Sequence, residues 1–230
     1  MVHMIRLSDR LATIAGFIKA GASVADVGTD HGYMPVYLAQ NELARVIIAS
    51  DISEGSLGAA RRNAARYGVA DRISFVAAPG LTHVCETDAD TVVISGMGGE
   101  TIASILEVAP WTRRDGLSLV LQPQTRTDEL CIWLRENGYT LEDAAISLDN
   151  GRLYVIMLVR GGDPGCLHDP EIELLELLKT GNDPLFPKYL DTLIKRTKRT
   201  LDGMKASAGP VDPAAVQKLA AYAGLRTKTD

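Results

Sequence analysis

Residues 23–32 read Ser-Val-Ala-Asp-Val-Gly-Thr-Asp-His-Gly. The reading of this stretch decides the fold. Residues 23–28 form a short, largely apolar run interrupted by one acid, which is the pattern of a buried strand, and the polar segment TDHG that follows is a loop. Immediately downstream, PVYLAQN places Pro35 in the first turn of a helix, where its missing N–H costs nothing. The same strand–loop–helix alternation continues. Strands are predicted at 46–51, at RISFVA, at 91–96 and at LSLVLQ before Pro123; helices are predicted at 56–67, closed by Gly68, at 100–108, and at 127–137 before Gly138. Upstream, Ser8 is a candidate N-cap for a helix carrying Leu11, Ile14, Ala15 and Ile18 and ending at Gly21. Such alternation calls for an α/β fold with a parallel sheet and helices on both faces. Two final strands, 139–147 and 152–160, flank Asn150-Gly151, a strong hairpin signal, so one strand of the sheet runs antiparallel.

GGDPG at 161–165 is a composition break, dividing the chain into residues 1–162 and a helical unit, 163–230. Helices are predicted there at 171–178, 187–205 and 213–223. In the middle one Leu190, Leu193, Thr197, Leu201 and Met204 make a narrow stripe suited to a short antiparallel, coiled-coil-like pair. That helix also carries Lys188, Lys195, Arg196, Lys198, Arg199 and Lys205 against Asp191 and Asp202, either a phosphate-binding patch or a solvated face.

Composition narrows the function classes. With 230 residues, 46% of them hydrophobic and 23% charged, the chain is globular rather than disordered or low-complexity. A net charge of -5 argues against a uniformly basic nucleic-acid coat but leaves local basic surfaces open. The longest apolar run, 153–159, is too short to span a bilayer, and MVHMIRLSDRL lacks the apolar stretch of a signal peptide, so no membrane association and a cytoplasmic location are expected. Cys85, Cys131 and Cys166 include no CxxC pair; buried inert thiols are expected, with neither a disulfide framework nor a metal site.

The first strand-to-helix loop lies where an open α/β sheet binds its ligand. Asp26, Gly28 and Gly32 do not make G-x-G-x-x-G, and no G-K-[ST] is present, so a ligand without phosphates fits better. Asp51 ends the second strand, twenty-five positions after Asp26 by subtraction, where a carboxylate can accept bonds from both ribose hydroxyls. Acids at both strand ends favour S-adenosylmethionine, whose ammonium and sulfonium suit them, over a pyrophosphate. The alternative is that Asp26 only binds backbone amides and Asp51 only caps a turn. Asp30 has a stronger claim to a ligand than His31, for which a structural hydrogen-bonding role outweighs contact with the cofactor or a substrate phosphate. At the fourth strand end, Ser95-Gly96-Met97-Gly98-Gly99-Glu100 leaves backbone free to face a flat ligand, with Met97 adding a flexible apolar surface; a plain glycine turn is the alternative. Gln122-Pro123-Gln124 ends the fifth strand on the same rim.

Together, LSDRLATIAGFI, VADVGTDHGYMPVYL, ASDISEGSLGAARRN, VISGMGGETIASIL and LVLQPQ, in that order across most of residues 5–160, resemble the bacterial tRNA (adenine-22-N1)-methyltransferase family. The resemblance implies a Rossmann-like class I methyltransferase sheet with a small C-terminal helical domain, S-adenosylmethionine as cofactor and tRNA as partner. It assigns Asp26, Gly28, Asp30, His31 and Gly32 to the methionine side of the cofactor and Asp51 with Ile52 to the ribose and adenine. Gly80 and Leu81 would supply backbone contacts, although Pro79 stands where the family usually carries an acid. Gly96 would touch both cofactor and target, and the target-base pocket would comprise Asp30, Gly96, Met97 and Gly98. The C-terminal segment matches only loosely, around NDPLFPKYL. Competing readings are a small-molecule or protein methyltransferase, or a noncatalytic RNA-binding module on the same fold.

Overall fold

A computed structural model describes residues 4–162, 169–206 and 212–227 of the chain. Seven strands form one sheet: β1 (Ala22–Val27), β2 (Ala44–Asp51), β3 (Ser74–Ala77), β4 (Thr91–Gly98), β5 (Ser118–Thr125), β6 (Tyr139–Asp149) and β7 (Arg152–Gly161). Their spatial order is β3-β2-β1-β4-β5-β7-β6, and β7 runs antiparallel to the other six. The helices are α1 (Asp9–Gly16), α2 (Tyr33–Gln40), α3 (Glu54–Arg66), α4 (Gly99–Glu107), α5 (Thr127–Glu136), α6 (Pro170–Thr180), α7 (Phe186–Ala206) and α8 (Pro213–Thr227).

Alternation along the central strands builds two cores. Val24, Ile47, Val93 and Val120 face Ile14, Met34, Val36 and Ala64 on the side of α1, α2 and α3. Val27, Ile94, Leu119 and Leu121 face Ile102, Leu106, Leu130 and Leu134 on the side of α4 and α5. Leu174, Leu178, Leu190, Ile194 and Tyr222 of α6, α7 and α8 join this second cluster, so the C-terminal helices share apolar surface with the sheet. Every residue of β1 is buried, as expected of a central strand covered on both faces. The β6–β7 turn has positive φ at Asn150 (48°) and Gly151 (76°), the conformation that an Asn-Gly hairpin demands.

Several boundaries differ from the sequence reading. Ser8 caps α1 as expected, accepting from the Leu11 amide, but the helix stops at Gly16, where the Phe17 and Ile18 amides switch to the Ile14 and Ala15 carbonyls. β4 runs past Gly96 to Gly98 and β5 past Pro123 to Thr125; register shifts around Met97 let the two strands stay paired through an irregular segment. Pro123 is tolerated because the β5–β7 ladder extends only to Leu121. Cys131 is buried, whereas Cys85 is exposed, correcting the expectation of a buried thiol there. Cys166 and most of the 161–165 break lie outside the described residues. The Arg226 guanidinium, near the end of α8, lies 3.1 Å from Asp191 near the start of α7, so these helices pair antiparallel. No helix among the described residues is long and apolar enough to cross a membrane.

Candidate active site

Strand order reverses between the parallel neighbours β1 and β4: connections leave β1 toward β2 and β4 toward β5, and a cleft opens at the carboxyl ends of the adjacent strands. The loop after β1 is anchored to β2 by the Gly28 and Thr29 amides, which donate to the Ser50 carbonyl at 2.8 and 3.0 Å. Asn63 of α3 donates to the His31 carbonyl at 2.9 Å. Gly28 has φ +73°, and a Cβ there would lie 2.2 Å from Met97 Cε, so this position is confined to glycine by both conformation and close approach.

The cleft contains a cavity of about 410 Å³ walled by Arg10, Asp26, Gly28, Thr29, Asp30, His31, Tyr33, Ser95, Gly96 and Gln124. Asp26 is 4% exposed. Burial pushes its carboxyl up from the ordinary 3.8 to about 6, and the nearby Asp51 charge adds to the rise. The Thr29 hydroxyl pulls the other way, yet Oγ1 meets no partner at hydrogen-bonding geometry, so burial governs. Asp30, with φ +51°, stands at the rim with its side chain 68% exposed, 3.6 Å from His31 Nε2.

The expected site residues are distributed over two adjoining places. Asp26, Gly28, Asp30, His31 and Gly96 wall the cavity, and Gly32 follows as the N-cap of α2. Asp51 and Ile52 lie beside it at the end of β2: Asp51 Oδ2 accepts the Asp30 amide at 3.1 Å and Oδ1 accepts the Ser53 amide at 2.8 Å, while Ile52 is 76% exposed. Gly80 receives the Ser50 hydroxyl at its carbonyl, and the Leu81 side chain is buried in the core. Met97 and Gly98 are not brought to the cavity wall. Met97 packs across Gly28, and Gly98, with an ordinary φ of -67°, faces Thr125, along a stretch where β4–β5 pairing is irregular.

Arg10 was not among the expected residues. Its guanidinium donates to Gln122 Oε1 at 2.7 Å; that same oxygen accepts the Gly96 amide at 3.1 Å, and Gln122 Nε2 donates to the Pro123 carbonyl at 2.8 Å. Gln122 is therefore a fully buried bracket for the β4 end rather than a cleft-facing group. The sequence signal was present: Arg10 precedes the buried Ile14 by four residues, a charge on the inward stripe of α1.

A second space, of about 450 Å³, lies between the β5 end, β7 and helices α7 and α8. Its most enclosed charges are paired with one another. Lys218 Nζ donates to Asp128 at 3.1 Å and lies 2.9 Å from Glu171 Oε2, an ionic contact outside good hydrogen-bond alignment. Burial alone would lower the Lys218 ammonium, but the two carboxylates hold it above the usual lysine range. Arg126 is tied to Glu100 and Glu129.

A methyltransferase domain family matches residues 7–157. The Bacillus subtilis tRNA (adenine(22)-N(1))-methyltransferase is 34% identical over 168 residues, covering 73% of this chain and 71% of that protein. The crystal structure of a B. subtilis m1A22 tRNA methyltransferase superposes with a TM-score of 0.77 at 28% identity, covering 98% and 99% of the two chains. A Streptococcus pneumoniae chain solved in complex with S-adenosyl-L-methionine gives 0.81 at 28% identity over 96% and 99%. The fold, the cleft at the β1–β4 switch and these similarities together place the chain in the tRNA (adenine(22)-N(1))-methyltransferase family.

Proposed function

We propose that this protein transfers a methyl group from S-adenosylmethionine to N1 of adenosine 22 in tRNA. The observation that carries the cofactor assignment is the buried Asp26 carboxylate beside the partnerless Thr29 hydroxyl, in a cavity of about 410 Å³. That size is typical of cofactor sites, and an acid below a loop with no phosphate fingerprint suits a ligand bearing ammonium and sulfonium. Asp26, Asp30, His31 and the backbone of 28–32 hold the methionine side. Asp51, its oxygens oriented by the Asp30 and Ser53 amides, takes the ribose hydroxyls; Ile52 covers the adenine, with Gly80 and Leu81 contributing backbone.

When bound, S-adenosylmethionine supplies an electrophilic methyl group. N1 of adenine already presents a lone pair, so no side chain has to remove a proton; the residues align the base and exclude water. Asp30 and the Gly96 backbone receive the target base, with Met97 and Gly98 shaping the strand behind them. The methylated base is cationic, and the Asp30 carboxylate favours that charge as it develops. A base paired or stacked in the RNA has to be extruded to reach the cavity. Lys188, Lys195, Arg196, Lys198, Arg199 and Lys205 are exposed on α7 and offer a basic face to the RNA backbone. The chain acts in the cytoplasm, as a catalytic unit (1–162) and a helical unit (163–230) that holds the RNA. Incubation with unmodified tRNA and S-adenosylmethionine, followed by nucleoside mass spectrometry, should yield 1-methyladenosine; its absence would overturn the assignment.

A further inference from the structure

We propose that Arg10 receives the α-carboxylate of the cofactor's methionine end, so that the cavity reads the amino acid as a zwitterion. The inference rests on the cofactor reading above. A methionine end brings one ammonium and one carboxylate into a cavity that already holds Asp26 and Asp30. Those acids favour the ammonium and repel the carboxylate, which needs a cationic donor on another wall. Among the described residues, Arg10 is the one lysine or arginine lining the cavity.

The guanidinium is held ready. Its Nη1 donates to Gln122 Oε1 at 2.7 Å, and its Cζ sits 5.5 Å above the centre of the Tyr154 ring. Asp149, the neighbouring acid, approaches only to 3.9 Å from Nε, beyond hydrogen-bond distance. Of the five N–H donors of an arginine, one is thus committed to Gln122, and the remainder suit a planar carboxylate. Gly96 keeps the approach open: with φ +80° and no side chain, it leaves space where a Cβ would stand 3.6 Å from Arg10 Nη1. Depth favours a carboxylate over an RNA phosphate. The Arg10 side chain is 22% exposed, whereas the Asp30 side chain at the rim is 68% exposed and would repel an incoming phosphate.

The test compares S-adenosylmethionine with its decarboxylated analogue by calorimetry on the parent protein, Arg10→Gln and Arg10→Lys. The parent should bind the analogue about tenfold or more weakly, as expected when one charge-assisted bond to a carboxylate is removed. Arg10→Gln should weaken S-adenosylmethionine by a similar factor and the analogue by less than about twofold, with Arg10→Lys restoring part of the difference. Equal weakening of both ligands would overturn the proposal and make Arg10 a brace acting through Gln122 and Gly96. Equal affinity of the parent for the two ligands would overturn it without any variant. A parent that bound neither ligand would instead defeat the cofactor reading itself.

Discussion

The cavity over Asp26 and the space beneath α7 share Gln124 as a wall residue but are built in opposite ways. The first is made from strand ends and backbone, and it keeps polar groups short of partners: a carboxylate raised to about 6 and a buried threonine hydroxyl without a hydrogen bond. The second is made from side chains of five segments, and Lys218, Asp128 and Glu171 within it are paired with one another. Size does not separate them, at about 410 and 450 Å³. Unmet polar demand does, because a buried polar group without a partner is costly until a ligand supplies one. On the function proposed above, the cavity takes the cofactor, the space holds the helices in place, and the exposed face of α7 is left to meet the RNA.

The largest effect should come from that face. Reversing charge at Lys195, Arg196, Lys198 and Arg199 should weaken tRNA binding about a hundredfold at low salt and flatten the dependence of log affinity on log salt by up to about 0.9 for each phosphate that is no longer neutralised. Affinity for S-adenosylmethionine should stay within about twofold. Parent-like tRNA affinity would leave the helices a purely structural role.

Next, Asp26→Asn should weaken S-adenosylmethionine by about tenfold while stabilising the free protein. The folded Asp26 holds its proton up to about pH 6, whereas the unfolded chain releases it near 3.8. Stability therefore falls as pH rises between those values, and above about 6 the native state carries a penalty of up to about 3 kcal/mol. The variant should melt roughly 4–8 °C higher at pH 8, for a gain of about 2 kcal/mol, with little difference at pH 4. Equal melting temperatures at pH 8 would mean that the carboxylate is better solvated than its burial indicates.

The smallest effect sharpens the contrast from the other side. Lys218→Met strands two carboxylates, but the lysine side chain is 27% exposed and Asp128 41%, so water screens part of the destabilisation. About 1–2 kcal/mol of stability should disappear in a denaturant titration, with cofactor affinity unchanged. A fall in that affinity would show that the helical space belongs to the cofactor site.

The same contrast explains what the sequence disclosed. The shape of the loop after β1 was legible because its determinants are local: a buried strand, Gly28 and Asp30 in conformations with positive φ, and an acid at the strand end. The Asn150-Gly151 hairpin and the Ser8 cap are local as well. Arg10 was missed because its partners, Gln122, Asp149 and Tyr154, lie more than a hundred residues away. The glycine run at 96–98 reads as a turn in the sequence, whereas β4 continues through it to Gly98 because β5 pairs alongside. In α7 the stripe omitted Ile194, which is 8% exposed, because two adjacent residues can both face a core when it surrounds more of the helix than one seam.

The central claim is that the Asp26 cavity serves methylation of one nucleotide position, and N1 methylation removes the Watson–Crick edge that reverse transcriptase needs. Primer extension on an unmodified tRNA treated with the protein should therefore show an S-adenosylmethionine-dependent stop at position 22, absent from a transcript carrying guanosine there and absent when Asp26→Asn is used at a cofactor concentration well below its weakened affinity. A stop elsewhere, or none in the presence of cofactor and folded protein, would contradict the account.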